Sequence, residues 1–139
     1  MAAARASPEQ MLGVESAVRA MAAALPDDVE SCCRHDLSFH EQIISAAGNQ
    51  FLIRFAVATR TALLAAFRVS NNTRAAYQNS LAEHWAVAIA IRRRSPDEAD
   101  HAMRQLLAGT ARDLAPAHAA PAHLKPRAPS GGRPRPPRE

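Results

Sequence analysis

The chain has 139 residues, 47% of them hydrophobic but only 4% aromatic, with five glycines and no β-branched runs. That length holds one small domain, and that composition favours helix over sheet. The net charge of +4 is a property of the C-terminus: residues 1–114 hold twelve Lys/Arg against twelve Asp/Glu, and residues 115–139 hold five against one, so the body lacks the basic footprint of a nucleic-acid binder.

MAAARASPEQ contains no long apolar core of a signal peptide. FLIRFAVATRTALLAAF is interrupted by Arg54 and Arg60 and falls short of the ~18–20 apolar residues that span a bilayer. Cys32 and Cys33 are adjacent; neighbours on a helix diverge and do not form a disulfide with each other, which suits a reducing setting. A cytoplasmic protein with no membrane partner is expected.

Ser7-Pro8-Glu9-Gln10 reads as a capping box with proline at the first helical position. The helix it opens carries the apolar stripe Met11, Val14, Val18, Met21 and Leu25, and Pro26 closes it. Asp27 or Asp28 caps a second helix that runs to Ala47, with Gly48 as its left-handed stop. A third helix is predicted over residues 49–69, and Ser70-Asn71-Asn72-Thr73 is a polar turn. A fourth covers residues 73–93 with the stripe Tyr77, Leu81, His84, Ala88 and Ile91. Ser95-Pro96-Asp97-Glu98 repeats the capping box and opens a fifth, with Ala99, Met103, Leu106, Thr110 and Leu114 inward. Seven of the ten prolines crowd residues 116–137. The expected architecture is therefore an all-α, antiparallel bundle of about five helices over residues 7–114, followed by a disordered tail at 115–139.

The chemistry of interest lies on the second helix. Val29, Cys33, Asp36, His40, Ile43 and Ala47 share one face at alternating spacings of four and three. A buried carboxylate and imidazole need partners; they can satisfy each other by hydrogen bonding, or a divalent metal can satisfy both. His84 occupies a comparable inward place on the fourth helix. Glu41 and Glu83 adjoin these residues but face away from the stripes and read as solvated charges. Trp85 reads as packing, Arg92-Arg93-Arg94 as complements to the helix dipole, and the basic tail as an incidental extension, with contact to nucleic acid or an acidic partner as the alternative. Arg54 and Arg60 either snorkel to solvent or turn inward to meet a carboxylate.

Asp36, Phe39 and His40 in a D-x-x-F-H pattern, then Ala46-Ala47-Gly48-Asn49, Glu83-His84, Ala90-Ile91, Ser95-Pro96-Asp97-Glu98-Ala99 and Ala102-Met103-Arg104, follow one another in the order and spacing of a known family. Over residues 7–110 the chain resembles the FadR C-terminal domain (FCD), the effector-binding domain of GntR-family transcription regulators. The resemblance implies a helical bundle in which an aspartate and three histidines bind a divalent ion, commonly zinc or nickel, beneath a small carboxylate effector. Asp36, His40 and His84 match the first three ligands. Leu106 stands where the fourth histidine belongs, which weakens the site, and His101 is about 140° round the helix from that position.

The pattern also departs from the family in showing neither a winged helix-turn-helix nor the domain's usual first helix, which leaves an apolar groove. The expected function is effector sensing for a GntR-type regulator, in a homodimer or in a heterodimer with another FCD chain, with no sequence-specific DNA binding by this chain itself. One carboxylate and two imidazoles suit Zn²⁺, Ni²⁺ or Mn²⁺, and occupancy falls below about pH 6 because both rings must be neutral to ligate. A three-ligand open site also serves hydrolytic metalloenzymes, but no separate general base accompanies it, so no enzymatic activity is expected. The alternative is a decayed FCD fragment that acts only as a structural or dimerisation module.

Overall fold

The helix boundaries follow from local capping chemistry. The Ser7 hydroxyl accepts from the Gln10 amide at 3.2 Å while the Gln10 side chain accepts from the Ser7 amide at 2.9 Å. The Asp28 carboxylate accepts from the Ser31 amide at 2.8 Å, and Asn49 Oδ1 accepts from the amides of Phe51 and Leu52 at 3.0 and 3.3 Å. Each supplies an oxygen to helix-start N–H groups that have no partner in the preceding turn. The computed structural model describes residues 2–70 and 74–118, and all regular elements among them are helical. They are α1 (Ala2–Arg5), α2 (Pro8–Ala24), α3 (Val29–Ala47), α4 (Gln50–Ser70), α5 (Arg74–Arg92) and α6 (Pro96–His118).

Short connections fold these helices back on one another. α3 packs on α2 and α4, α5 packs on α6 and α2, and α4 also meets α6. The main core joins Val14 and Val18 of α2, Phe39 of α3, Val87 and Ile91 of α5 and Leu106 of α6, all at most 2% exposed. Each such side chain contributes roughly 1.5–3 kcal/mol by leaving water. Trp85 packs half-buried against this core, under the Arg19 guanidinium.

Four features differ from the sequence expectation. Alanine is the strongest helix former, and MAAAR supplies a sixth helix: α1 packs on α3, α5 and α6 with Ala2, Ala3 and Ala6 buried. Arg5 donates to the Ala47 carbonyl at 3.4 Å and Arg94 to that of Ala6 at 3.2 Å, so Arg94 clamps α1 rather than only complementing a dipole. Second, Val29 is 40% exposed, whereas Cys32, Leu37 and Ala46, which lie off the expected stripe, are buried. α3 is covered by α1, α2 and α4, so its buried arc is wider than one stripe. Third, α6 continues through Ala115 to His118, beyond the expected stop at Leu114; alanine on both sides of Pro116 favours the extra turn. The remainder of the expected tail, residues 119–139, the turn residues 71–73 and the side chains of Tyr77 and Leu114 lie outside the described residues.

The fourth difference concerns α4. Residues Gln50–Arg68 are long and apolar enough to cross a membrane by length and composition, with mean hydropathy 1.3, and only 11% of that stretch is buried. Arg54 and Arg60 interrupt the run, but averaged over the helix they leave it apolar enough. Two of its arginines bind α3: Arg60 pairs with Glu41, and Arg68 donates to Glu30 at 2.8 Å. Glu41 is therefore an interhelical partner rather than a solvated charge.

Gly48 ends α3 at φ 68, and a Cβ built there would have only Arg5 nearby, at 4.0 Å. The cost of Gly48→Ala is thus conformational, about 1–2 kcal/mol. Thermal unfolding by circular dichroism should show a fall of roughly 4–8 °C per kcal/mol, with Gly48→Asn falling less.

Candidate metal centre

Asp36 and His40 stand one turn apart on α3, and α5 delivers His84 to them from 48 positions along the chain. Asp36 Oδ1 lies 3.0 Å from His84 Nε2 and 3.3 Å from His40 Nε2. One potential ligand atom from each residue lies within 4.8 Å of the others. The Asp36 and His84 side chains are 4% and 2% exposed and that of His40 is 17% exposed, so the cluster opens toward solvent on the His40 side. Phe39 meets the His84 ring edge-on at 4.7 Å between centroids, and Phe67 lies 5.4 Å from His40. These rings keep the polar cluster in an apolar wall.

The hydrogen bonding around His84 is informative. Its Nδ1 lies 2.6 Å from the Ser80 carbonyl oxygen. A carbonyl only accepts, so Nδ1 carries the hydrogen. Nε2 then faces the Asp36 carboxylate, which also only accepts. A neutral His84 with its hydrogen on Nδ1 would set two lone pairs against each other. Either a second proton or a bound cation must lie between Nε2 and Oδ1. An imidazole whose far nitrogen donates to a backbone carbonyl is the arrangement that orients a metal-ligating histidine. Sequence reasoning missed the Ser80 carbonyl, since it is backbone; its signal was position alone, one turn before His84.

The charge on Asp36 responds to two opposed effects. Burial pushes its pKa up, but hydrogen bonds from His40 and His84 and their positive charge outweigh burial and hold it at about 2. Asp36 is therefore a carboxylate across the ordinary pH range and available as a ligand. Burial drives the Cys32 thiol the other way, to about 12, and Cys33 is also raised. Both thiols are free and buried and stay protonated.

The residues fit a small divalent ion. Ligand atoms about 2.0–2.2 Å from Zn²⁺ in a tetrahedron are separated by roughly 3.3 Å; the two Asp36 separations are 3.0 and 3.3 Å and all three ligand atoms lie within 4.8 Å of one another, close enough to hold an ion. Leu106 is 1% exposed in the main core and supplies no ligand atom. His101 is exposed on α6 and contacts Gln105. Arg54 is exposed on α4, and Arg60 is held at Glu41; the structure does not bring either to the cluster. Glu83 lies toward Gly109 of α6. A groove of about 310 Å³ lined by Ile43, Leu52, Val87, Ile91 and Met103 does not include the three ligand candidates.

The family model described as the FCD domain matches residues 1–109. The chain belongs to the FCD family. FCD is a regulatory, effector-binding domain of GntR-family regulators, and FCD domains are known to bind metals. No curated protein matches the chain significantly. In this FCD chain the D-x-x-F-H residues have two physical tasks: Asp36 and His40 face the polar cluster, and Phe39, 0% exposed, fills the core beside it.

The depressed pKa of Asp36 sets a direction for stability against pH. The carboxylate's contribution is complete above about pH 4, its unfolded value, and is lost as pH falls through about 2. In chelator, Asp36→Asn should lower unfolding free energy by about 2 kcal/mol near neutrality. Denaturant melts from pH 7 downward should show the gap between wild type and variant closing only below about pH 4.

Proposed function

We propose that the chain is an effector-sensing FCD whose divalent cation, zinc or nickel, is held by Asp36, His40 and His84 and whose effector is a small carboxylate. The observation that carries this reading is His84: its Nδ1 is tied to the Ser80 carbonyl while its Nε2 faces a carboxylate in a buried site. The cation would supply Lewis acidity and open coordination positions for an anionic ligand. The protein's own residues do the rest. Asp36 and His40 fix the α3 side, His84 fixes the α5 side, and the Phe39 and Phe67 rings exclude water. The partly exposed His40 edge is the route by which a carboxylate enters.

Because the ligands come from two helices, occupancy couples α3 to α5. An effector that prefers one arrangement of these helices shifts the population between arrangements. The shift reaches DNA through a regulator assembled from paired FCD chains, as a homodimer or with a different FCD partner. The role is cytoplasmic and regulatory, and no catalytic step is assigned. A purely structural FCD is the competing reading, and it draws on Leu106, whose apolar side chain at the fourth position weakens any site.

Melting the full chain in EDTA and then with Zn²⁺ or Ni²⁺ separates the two. Metal at about 100 times its dissociation constant should raise Tm by about 10–20 °C, and Asp36→Ala and His84→Ala should abolish the rise. A cooperative melt that ignores metal would leave the structural reading. Leu106→His should lower Tm in EDTA, because it places a polar ring in the core, and enlarge the metal-induced rise.

A further inference from the structure

The groove of about 310 Å³ begins one helical turn from the Asp36 cluster. On α3, Ile43 and Ile44 follow His40 by three and four residues, and on α5 Val87 follows His84 by three. Both helices therefore lead from the cluster to the groove within about 5 Å along their axes. His40 is also the open edge of the cluster, its side chain 17% exposed. Leu52 of α4, Ile91 of α5 and Met103 of α6 complete the walls.

The chemistry of these walls is one-sided. Among the described residues that line the groove, no side chain is a hydrogen-bond donor. Its one charged side chain, Asp100, already accepts from Arg104 at 2.7 Å. A hydroxyl entering this space loses water and finds no partner, which opposes binding. A methylene entering it leaves water for an apolar wall, which favours binding. We propose that the carboxylate effector has an aliphatic body, which lies in this groove while its head group meets the cation at Asp36, His40 and His84. This rests on the metal-assisted reading above and adds the class of effector: an alkanoate rather than a hydroxy acid or a sugar acid.

Size narrows the class further. Ligand sites hold roughly 300–1,000 Å³, and this groove stands at the lower end, with room for a short or medium chain. Head and body are recognised by different groups, so their contributions separate. Acetate reports the head alone. Each methylene added to it and buried in the groove should tighten binding about fourfold, until the chain outgrows the walls. Gluconate carries the same carboxylate with a hydroxyl on every other carbon and should bind no better than acetate.

Isothermal titration calorimetry of the full chain with Zn²⁺ reads acetate, butyrate, hexanoate, octanoate and gluconate in turn. The expected result is a stepwise gain along the alkanoates and none for gluconate. Ala99→Phe adds bulk to the groove wall away from the cluster. It should weaken octanoate at least about tenfold, with acetate binding and the Zn²⁺-induced rise in Tm unchanged. Ile44→Gln, at a half-buried wall position, should do the same and stands in for Ala99→Phe if that variant loses helicity. A flat series, gluconate binding more tightly than hexanoate, or a gain along the series that the folded variants retain would overturn the proposal while leaving the metal site intact. Absence of the Zn²⁺-induced rise in Tm would count against the metal reading instead. The series repeated in EDTA then decides the groove: a gain lost in Ala99→Phe upholds the aliphatic body, and no gain overturns it.

Discussion

Oδ1 of Asp36 lies between the Nε2 atoms of His84 and His40, inside a helical bundle that has few other buried polar side chains among the described residues. An unpartnered carboxylate there would cost several kcal/mol. The two imidazoles reverse that cost and, because they come from different helices, convert it into a tie between α3 and α5. Phe39 lies between the two functions: one ring contacts both histidines and packs on the main core. The site and the core are therefore continuous, and the contact between Nε2 of His84 and Oδ1 of Asp36 joins α3 to α5.

The rest of the molecule supports that tie from outside. α1 is held down by Arg94 and in turn reaches the end of α3 through Arg5. Glu15, nearly buried on α2, receives Arg92 from α5 and Arg19 from its own helix. Glu30 and Glu41 of α3 hold the arginines of α4. Exposed pairs of this kind are worth little singly. Their effect here is orientation: with Arg60 and Arg68 drawn toward α3, α4 presents its apolar stripe outward.

Function follows from this division of faces. The inner face of α3 carries Asp36 and His40, two of the three side chains grouped closely enough to hold a metal ion. The outer face of α4, one short connection away, leaves Phe51, Phe55 and Val57 exposed. α3 thus carries both Asp36 and His40 on one side and the ion pairs with α4 on another.

The individual helices and their caps were legible in the chain, because Ser7 and Gln10, Asp28, and Gly48 act through partners within four residues. The grouping of Asp36, His40 and His84 was legible for a similar reason: Asp36 and His40 are one turn apart, and the inward phase of His84 is fixed by its neighbours on α5. What the sequence could not hold was anything decided by which helix covers which. The breadth of the α3 face that buries Cys32 and Leu37 but leaves Val29 out depends on three neighbours meeting there. The docking of α1, the partner of Glu41, and the exposure of Phe51 and Phe55 are likewise set by long-range packing. Periodicity reports that a helix has an apolar side; only the tertiary arrangement decides whether that side is used within the chain or left for another.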